Sequence, residues 1–397
     1  MVIDAKFELS SDFVCINMRY GTVKNCCRQN TTRLIKIDID SALFYNMKQE
    51  IIMKIKPIMD YLDEVVKKEL VPGVCYGYVS LSEKKFYHCG YKQLIPTKEL
   101  NSIDTIYDMA SCTKVIATTT AILLLIEQGK LTLKTKINTI LPRYKHTNIT
   151  VKDLLTHTSG MPGENKDYKK CDSKESFIDY IYNLDLAYET GTKVLYTDYN
   201  FIILGFVIET ITQISIGHYT AENIFKPLEM KNSGFLSSNV DPALCASMEV
   251  TSLRGVIRGV VHDGKALKLN GLSGNAGLFS TVGDLSNFVS MILNKGTFNG
   301  KQFLHPETIQ LLHHCYTEAL NLRRTLGWIN NEPSSSIGDY YSDQMIFHTG
   351  FSGTSIYIDF KRECGIILLT NRIHPSRENE NINAIRDIVT NLTLLNL

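Results

Sequence analysis

The chain has 397 residues, 44% of them hydrophobic, enough for a large core and for two or three lobes. Its 42 basic and 41 acidic residues nearly cancel, so no overall field draws in nucleic acid or an anionic membrane, and any partner must be recognised locally. The first residues lack the basic start, apolar run and small-residue cleavage site of a secretory signal, which makes the cytoplasm the expected location.

Residues 1 to about 50 show neither alternation nor helical period and are expected to form a loose extension. From Ile55 to Leu70 the apolar residues Ile58, Leu62, Val65 and Val66 recur at helical steps, and Pro72 and Gly73 end that helix. Val74 to Leu81 and Lys85 to Tyr91 read as two strands joined by Ser82 and Glu83. Ser111 to Gln128 is apolar on nearly every face and stops at Gly129, as a helix through the core does. The apolar runs Val115 to Ile126 and Phe201 to Ile208 fall short of the ~20 residues of a bilayer span, so no membrane span is expected.

Helices and loops then dominate to about residue 275. Thr354 to Phe360 and Gly365 to Thr370 read as strands, followed by a helix from Asn381 to Leu395. Strands at both ends with helices between predict an α+β fold, in which one antiparallel sheet is assembled from the N- and C-terminal segments and flanked by helices. The expected units are an α/β lobe of residues 51–115 plus 280–397 and an inserted, mainly helical lobe of residues 116–279. A ligand belongs in the cleft between them. The cysteines Cys15, Cys26, Cys27, Cys75, Cys89, Cys112, Cys171, Cys245, Cys315 and Cys364 form no C-x-x-C pair, so free thiols and no metal site are expected.

Ser111-Cys112-Thr113-Lys114 is an S-x-x-K motif at the start of the long apolar helix, with hydroxyl and amine three residues apart on one face. A serine hydroxyl is a weak nucleophile, and a lysine becomes its base only where burial or positive charge lowers the amine's pKa. Alone, the motif is equally a helix N-cap. Its context is Leu154-Leu155-Thr156-His157-Thr158-Ser159-Gly160, then Tyr196-Thr197-Asp198, then His348-Thr349-Gly350-Phe351 leading into a predicted strand.

With these segments in this order, residues 55 to 390 resemble the serine β-lactamase and penicillin-binding protein family, in the branch of class C β-lactamases, D,D-peptidases and family VIII carboxylesterases. Asn275-Ala276-Gly277-Leu278-Phe279-Ser280-Thr281, ahead of Asp284 and Leu285, is a further similar stretch. The resemblance implies a β-lactamase/transpeptidase-like fold, an acyl-enzyme on Ser111, assistance to its deprotonation from Lys114, and proton exchange through Tyr196. It also implies an oxyanion hole built from the backbone N–H groups of Ser111 and Phe351, with Thr349 and Gly350 lining the substrate. No cofactor and no metal are implied. Tyrosine has a reference pKa of ~10 and titrates together with a nearby lysine, so the resting proton is assigned to neither.

Two residues depart from the commonest pattern. His348 stands where many relatives carry lysine, and a neutral histidine would hold a substrate carboxylate less firmly; otherwise it is a structural strand-edge residue. Asp198 stands where asparagine commonly donates an amide hydrogen, and an ionised aspartate only accepts; its charge is expected to raise the Lys114 pKa or hold that lysine in place. Both changes favour simple esters over β-lactams and D-Ala peptides. The alternatives are D,D-carboxypeptidase or β-lactamase activity, or a catalytically weak penicillin-binding or sensing module. Of the remaining candidates, His157 and Thr158 are expected to shape the turn beneath the cleft. Cys112, pointing ~100° from Ser111, is expected to pack in the core, and His313-His314 to lie on a surface helix.

Overall fold

The computed structural model describes residues 4–10, 13–19, 55–235, 241–332 and 336–396. Within the expected loose extension, Asp4–Ser10 and Phe13–Arg19 pair as antiparallel strands. The Cys26-Cys27 segment lies outside the described residues.

A seven-stranded sheet organises the rest. In chain order its strands are β1 (Gly73–Ser80), β2 (Lys84–Gln93), β3 (Glu99–Leu100), β4 (Ile329–Asn330), β5 (Met345–Thr349), β6 (Ser355–Asp359) and β7 (Cys364–Thr370). Their spatial order is β4-β5-β6-β7-β1-β2-β3, every pairing antiparallel, so the C-terminal strand lies directly beside the first. The expected sheet built from both ends of the chain is therefore present. Helices cover both faces, which is why its central strands are near-continuous apolar runs rather than alternating ones.

The period of two along each strand sorts side chains between two cores. Val74, Tyr76 and Tyr78 of β1 and Ile366 and Leu368 of β7 face a core closed by α1 (residues 55–67) and by a C-terminal helix, Ile382–Leu395. Cys75, Val79, Ile367 and Leu369 face the larger core. That core is built by α2 (Thr120–Glu127), α3 (Val151–Leu155), α4 (Asp198–Thr212) and α5 (Val282–Leu293); the C-terminal helix is then α6.

Two expectations need correction. The single helix predicted from Ser111 is a 3₁₀ turn (Ala110–Cys112), a π-type stretch (Lys114–Thr119) and then α2. Taken whole, Ala110–Glu127 has 18 residues and a mean hydropathy of 1.4, long and apolar enough to cross a membrane by length and composition; 78% of it is buried inside the protein. Second, the His348 segment does lead into the predicted strand, but His348-Thr349 also ends an earlier one, β5, which the sequence reading missed. Met345-Ile346-Phe347 is too short an apolar run to register as a strand by itself. The predicted strand after it is β6, across a turn closed by hydrogen bonds from Gly350 N to Thr354 O and from Gly353 N to Gly350 O.

A smaller sheet sets the nucleophile's position. Leu278–Ser280 pairs with Tyr107–Asp108 on one side and Gly234–Phe235 on the other, and Met109 N donates to Leu278 O. Helix α5 follows directly, capped by Thr281, whose side chain accepts from Asp284 N. It lies so close to the main sheet that a Cβ on Gly77 would sit 2.7 Å from Val282 Cγ2, and one on Gly365 only 2.3 Å from Val289 Cγ1. Because valine has little rotameric freedom in a helix, Gly365→Ala should force α5 off the sheet. We expect a loss of ~1–3 kcal/mol in urea unfolding at unchanged m-value; an unchanged midpoint would show that α5 moves freely there.

Candidate active site

The chain reaches Ser111 through a strained residue. Ala110 has φ +45, a conformation that costs a non-glycine residue on the order of 1 kcal/mol. Asp108 holds it there: Oδ1 accepts from Ala110 N at 2.8 Å and Oδ2 accepts from His262 N at 2.9 Å. Burial pushes the Asp108 carboxyl up, and these two amides oppose that. From the other side, Ser352 Oγ donates to Asp108 O and Thr354 Oγ1 to Met109 O. The turn after β5 is thereby bonded to the turn that carries Ser111.

Lys114, one helical step on, has no exposed surface. Each of its three N–H donors has an acceptor: Ser111 Oγ at 3.0 Å, Asp198 Oδ1 at 2.8 Å and Asn275 O at 2.9 Å. Tyr196 Oη donates to Ser111 Oγ at 2.7 Å, and Lys114 Nζ sits 5.0 Å from the centre of the Tyr196 ring. The serine hydroxyl thus faces both an amine and a phenol. Burial pulls the Lys114 ammonium down, but the charge of Asp198 and its contact with Tyr196 more than offset that and leave it raised. Burial raises the Tyr196 phenol, against the pull of Lys114. At rest, therefore, lysine is the ammonium and tyrosine the neutral phenol.

Asp198 is the first residue of α4, after the N-cap Thr197, where the positive end of the helix dipole favours a carboxylate. Burial alone would push this carboxyl up; the lysines Lys114 and Lys265 hold it below the ordinary range. Lys265 Nζ lies 3.0 Å from Asp198 Oδ2 and 2.6 Å from Glu164 Oε2. The result is a row of alternating charge from buried Lys114 through Asp198 and Lys265 to Glu164, whose side chain is 56% exposed. Asp198 thus both raises the Lys114 pKa and holds the lysine in place, and neither of its oxygens is a hydrogen donor to substrate.

His157, with φ +58, packs its ring 4.7 Å from that of Tyr196, and its carbonyl accepts from Leu195 N. Burial, then the charges of Arg324 and Lys114, hold it neutral. The turn that carries His157 is therefore the support for the phenol. His348 is buried at the end of β5, with Nδ1 2.9 Å from Thr349 O. Burial, followed by the charge of Lys114, pulls its pKa down to about 3, so it carries no charge at neutral pH. Thr349 is half-buried and Gly350 buried. A Cβ on Gly350 would lie 2.7 Å from Met109 O, so only glycine lets β5 approach the nucleophile turn this closely. Arg386 of α6 fixes the approach, donating to Gly350 O and Thr354 O at 2.9 Å each. Phe351 comes next, 47% exposed, with Arg372 donating to its carbonyl.

The structure thus brings Ser111, Lys114, Tyr196 and Asp198 into direct contact, and sets His348, Gly350 and Phe351 along the adjoining strand end. Sequence reasoning missed Lys265, Glu164, Asp108 and Arg386. Lys265 sits in Asp263-Gly264-Lys265-Ala266, which matches no catalytic spacing; Asp263 at the N-cap of a short helix is its sole local signal. Cys112 is buried and its thiol is pushed up by burial to about 11, which removes it as a rival nucleophile. His313 lies on a turn beyond the short helix Pro306–Gln310, not on a surface helix, stacked 3.7 Å from Phe360. The cysteines whose side chains are described are all free thiols.

The Beta-lactamase family model matches residues 61–390. N-acetylmuramyl-L-alanine amidase of Bacillus subtilis (strain 168) is 32% identical over 318 residues, covering 70% of this chain and 71% of that protein. A putative D-alanyl-D-alanine carboxypeptidase of Salmonella enteritidis PT4 is 30% identical over 315 residues, covering 70% and 72%. Among solved structures, the octameric penicillin-binding protein homologue from Pyrococcus abyssi matches with a TM-score of 0.65 at 19% identity, covering 83% of this chain and 76% of that one. EstCE1, a hydrolase with promiscuous acyltransferase activity, matches with a TM-score of 0.69 at 16% identity, covering 87% and 99%. At these identities the two structures bear on the fold alone.

The buried His348 makes stability depend on pH. The unfolded chain protonates this histidine below ~6.5, whereas the folded protein keeps it neutral down to about 3. The unfolded state therefore binds the extra proton throughout that window, and stability falls as pH drops from 6.5, by up to ~1.4 kcal/mol per unit for one histidine. Urea unfolding between pH 7 and 5 should give a slope shallower by about that amount in His348→Asn than in the parent. Equal slopes would mean that His348 takes up a proton in the folded state.

Proposed function

The chain belongs to the beta-lactamase family, and from that premise we propose that it is a serine hydrolase that forms an acyl-enzyme on Ser111 and acts on small carboxylic esters. The observation that carries this reading is the placement of Ser111 Oγ within hydrogen-bond distance of both Lys114 Nζ and Tyr196 Oη.

In this mechanism Ser111 Oγ attacks the acyl carbon while its proton passes into the Lys114–Tyr196 pair, which has first lost one proton. Lys114 geometry suits that exchange. As an ammonium it donates to three acceptors; as an amine it can accept from Ser111 and still donate to Asp198 and Asn275 O. The backbone N–H groups of Ser111 and Phe351 receive the carbonyl oxygen as it becomes negative. The pair then protonates the departing alkoxide. Water repeats the sequence on the acyl-serine and frees the acid, with the pair acting first as base and then as acid.

The preference for esters rests on two side chains. His348 is neutral, so it supplies no positive charge for the carboxylate of a penicillin or a terminal D-alanine. Asp198 has both oxygens on lysines, so it offers no donor to an acylamino carbonyl. A second reading, hydrolysis of cell-wall peptides or amides, is favoured by the names of the relatives at 30–32% identity. A cytoplasmic setting belongs to the ester reading.

Turnover of a p-nitrophenyl ester should fall at least ~10³-fold in Ser111→Ala, and ~10²–10⁴-fold in Tyr196→Phe. Intact mass spectrometry should find a fluorophosphonate adduct on Ser111, and little penicilloyl adduct after benzylpenicillin. Faster release of D-alanine from a D-Ala-D-Ala peptide than hydrolysis of the ester would replace the first reading with the second. Unchanged ester turnover in Ser111→Ala would reject both.

A further inference from the structure

Lys265 is a buried charged group in contact with Asp198 for which the acyl-enzyme mechanism has no assigned part. It stands on the short helix Gly264–Lys268 and is almost wholly buried, 3% exposed. Taking an ammonium out of water costs several kcal/mol unless close partners offset it. Its partners are Asp198 Oδ2 at 3.0 Å and Glu164 Oε2 at 2.6 Å, with the rings of Tyr168 and Tyr199 5.2 and 5.7 Å away. The other oxygen of the same Asp198 carboxylate holds Lys114. One carboxylate therefore bridges two buried ammonium groups, and only one of those reaches the nucleophile.

We propose that Lys265 is a positioning residue for the hydrolysis: by taking one oxygen of Asp198 it divides that carboxylate's pull, so that Lys114 stays within reach of Ser111 and can release its proton. The inference rests on the acyl-enzyme reading given above. Without Lys265 the whole charge of Asp198 would fall on Lys114, drawing it from Ser111 Oγ and holding its proton more tightly. Glu164 sets how far this goes, because it neutralises Lys265 from the solvent side. The other groups facing Lys114 do not substitute for Lys265. Tyr196 is a neutral phenol at rest, His157 and His348 are uncharged, and Cys112 is an un-ionised thiol. The cations Arg324 and Arg386 act on the histidines and Cys112, and Arg324 also faces the Tyr196 phenol, whereas the charges that hold Asp198 down are Lys114 and Lys265.

The test is the pH profile of kcat/KM for p-nitrophenyl acetate from about pH 6 to about pH 11, corrected for spontaneous hydrolysis, because both groups of the pair are raised above their ordinary ranges. It is run on the full chain with Lys265→Met, Lys265→Gln, Lys265→Arg, Asp198→Asn and the Asp198→Asn/Lys265→Met double variant. Active-site concentration comes from the stoichiometry of fluorophosphonate labelling, so that lost folding is not counted as lost catalysis. Removing a positive charge beside the carboxylate should raise the apparent pKa of the Lys114–Tyr196 pair. The rising limb should therefore move to higher pH by about one unit in Lys265→Met and Lys265→Gln, a ~10-fold loss of kcat/KM on the limb. Lys265→Arg should restore the limb, and Asp198→Asn should move it the opposite way. In the Asp198→Asn background, Lys265→Met should add little. A limb that stays in place in both neutral variants would overturn the proposal, as would an equal shift with and without Asp198. Ester turnover that survives Ser111→Ala would remove the premise instead, and that control separates the two failures.

Discussion

A lysine with no exposed surface and its positive charge intact is the constraint from which the rest of the site follows. An isolated ammonium at that depth is not tolerated; it needs a carboxylate at contact distance and acceptors for each remaining proton. Asp198 at 2.8 Å supplies the charge, and Ser111 Oγ and Asn275 O supply the other acceptors. Asparagine at position 198 would offer a carbonyl oxygen but no charge, so the aspartate goes with the depth of the lysine. Because the carboxylate is itself buried, it in turn calls for a second cation, and Lys265 is there.

The sheet and its helices give this charged row a fixed frame. Both faces of the sheet are covered, so β5 cannot tilt without disturbing two cores. Its end is tied to the nucleophile turn by Ser352 and Thr354 and to α6 by the buried guanidinium of Arg386. Asp108 holds Ala110 in its left-handed conformation from beneath. Strain at that residue persists because the surroundings over-determine it, and the strained residue immediately precedes the hydroxyl that must keep its place between lysine and tyrosine.

How far this was legible in the sequence depended on whether the information was local. Ser111 and Lys114 share a helix face at a spacing of three, and Tyr196 and Asp198 lie two residues apart at a helix start, so both pairs could be read as units. Strands β1, β2, β6 and β7 were visible as apolar runs bounded by turns. Strand β5 was not, because Met345-Ile346-Phe347 is short and the polar His348-Thr349 belongs to the strand although it looks like a loop. Lys265 and Glu164 were invisible for a different reason. Each is an ordinary charged residue in its own segment, and only the tertiary fold brings them to Asp198. The π-type stretch after Ser111 likewise has no signature in a run of Val115, Ile116 and Ala117.

Charge state was the least legible property, and it bears most directly on substrate. Histidine at position 348 leaves open from sequence whether a cation faces the ligand; burial together with the fixed charge of Lys114 settles it as neutral. Asp198 is fully engaged by two lysines, so the polar side chains nearest Ser111 are committed to one another rather than to a ligand. Beside these lie backbone amides, the half-buried Thr349 and the exposed ring of Phe351, with Arg372 and Arg377 packed against that ring. Such a surface discriminates by shape and apolar contact more than by charge. A site whose charges are internally balanced spends its electrostatics on moving one proton at Ser111, and that division of labour suits an ester, which brings no charge of its own to be recognised.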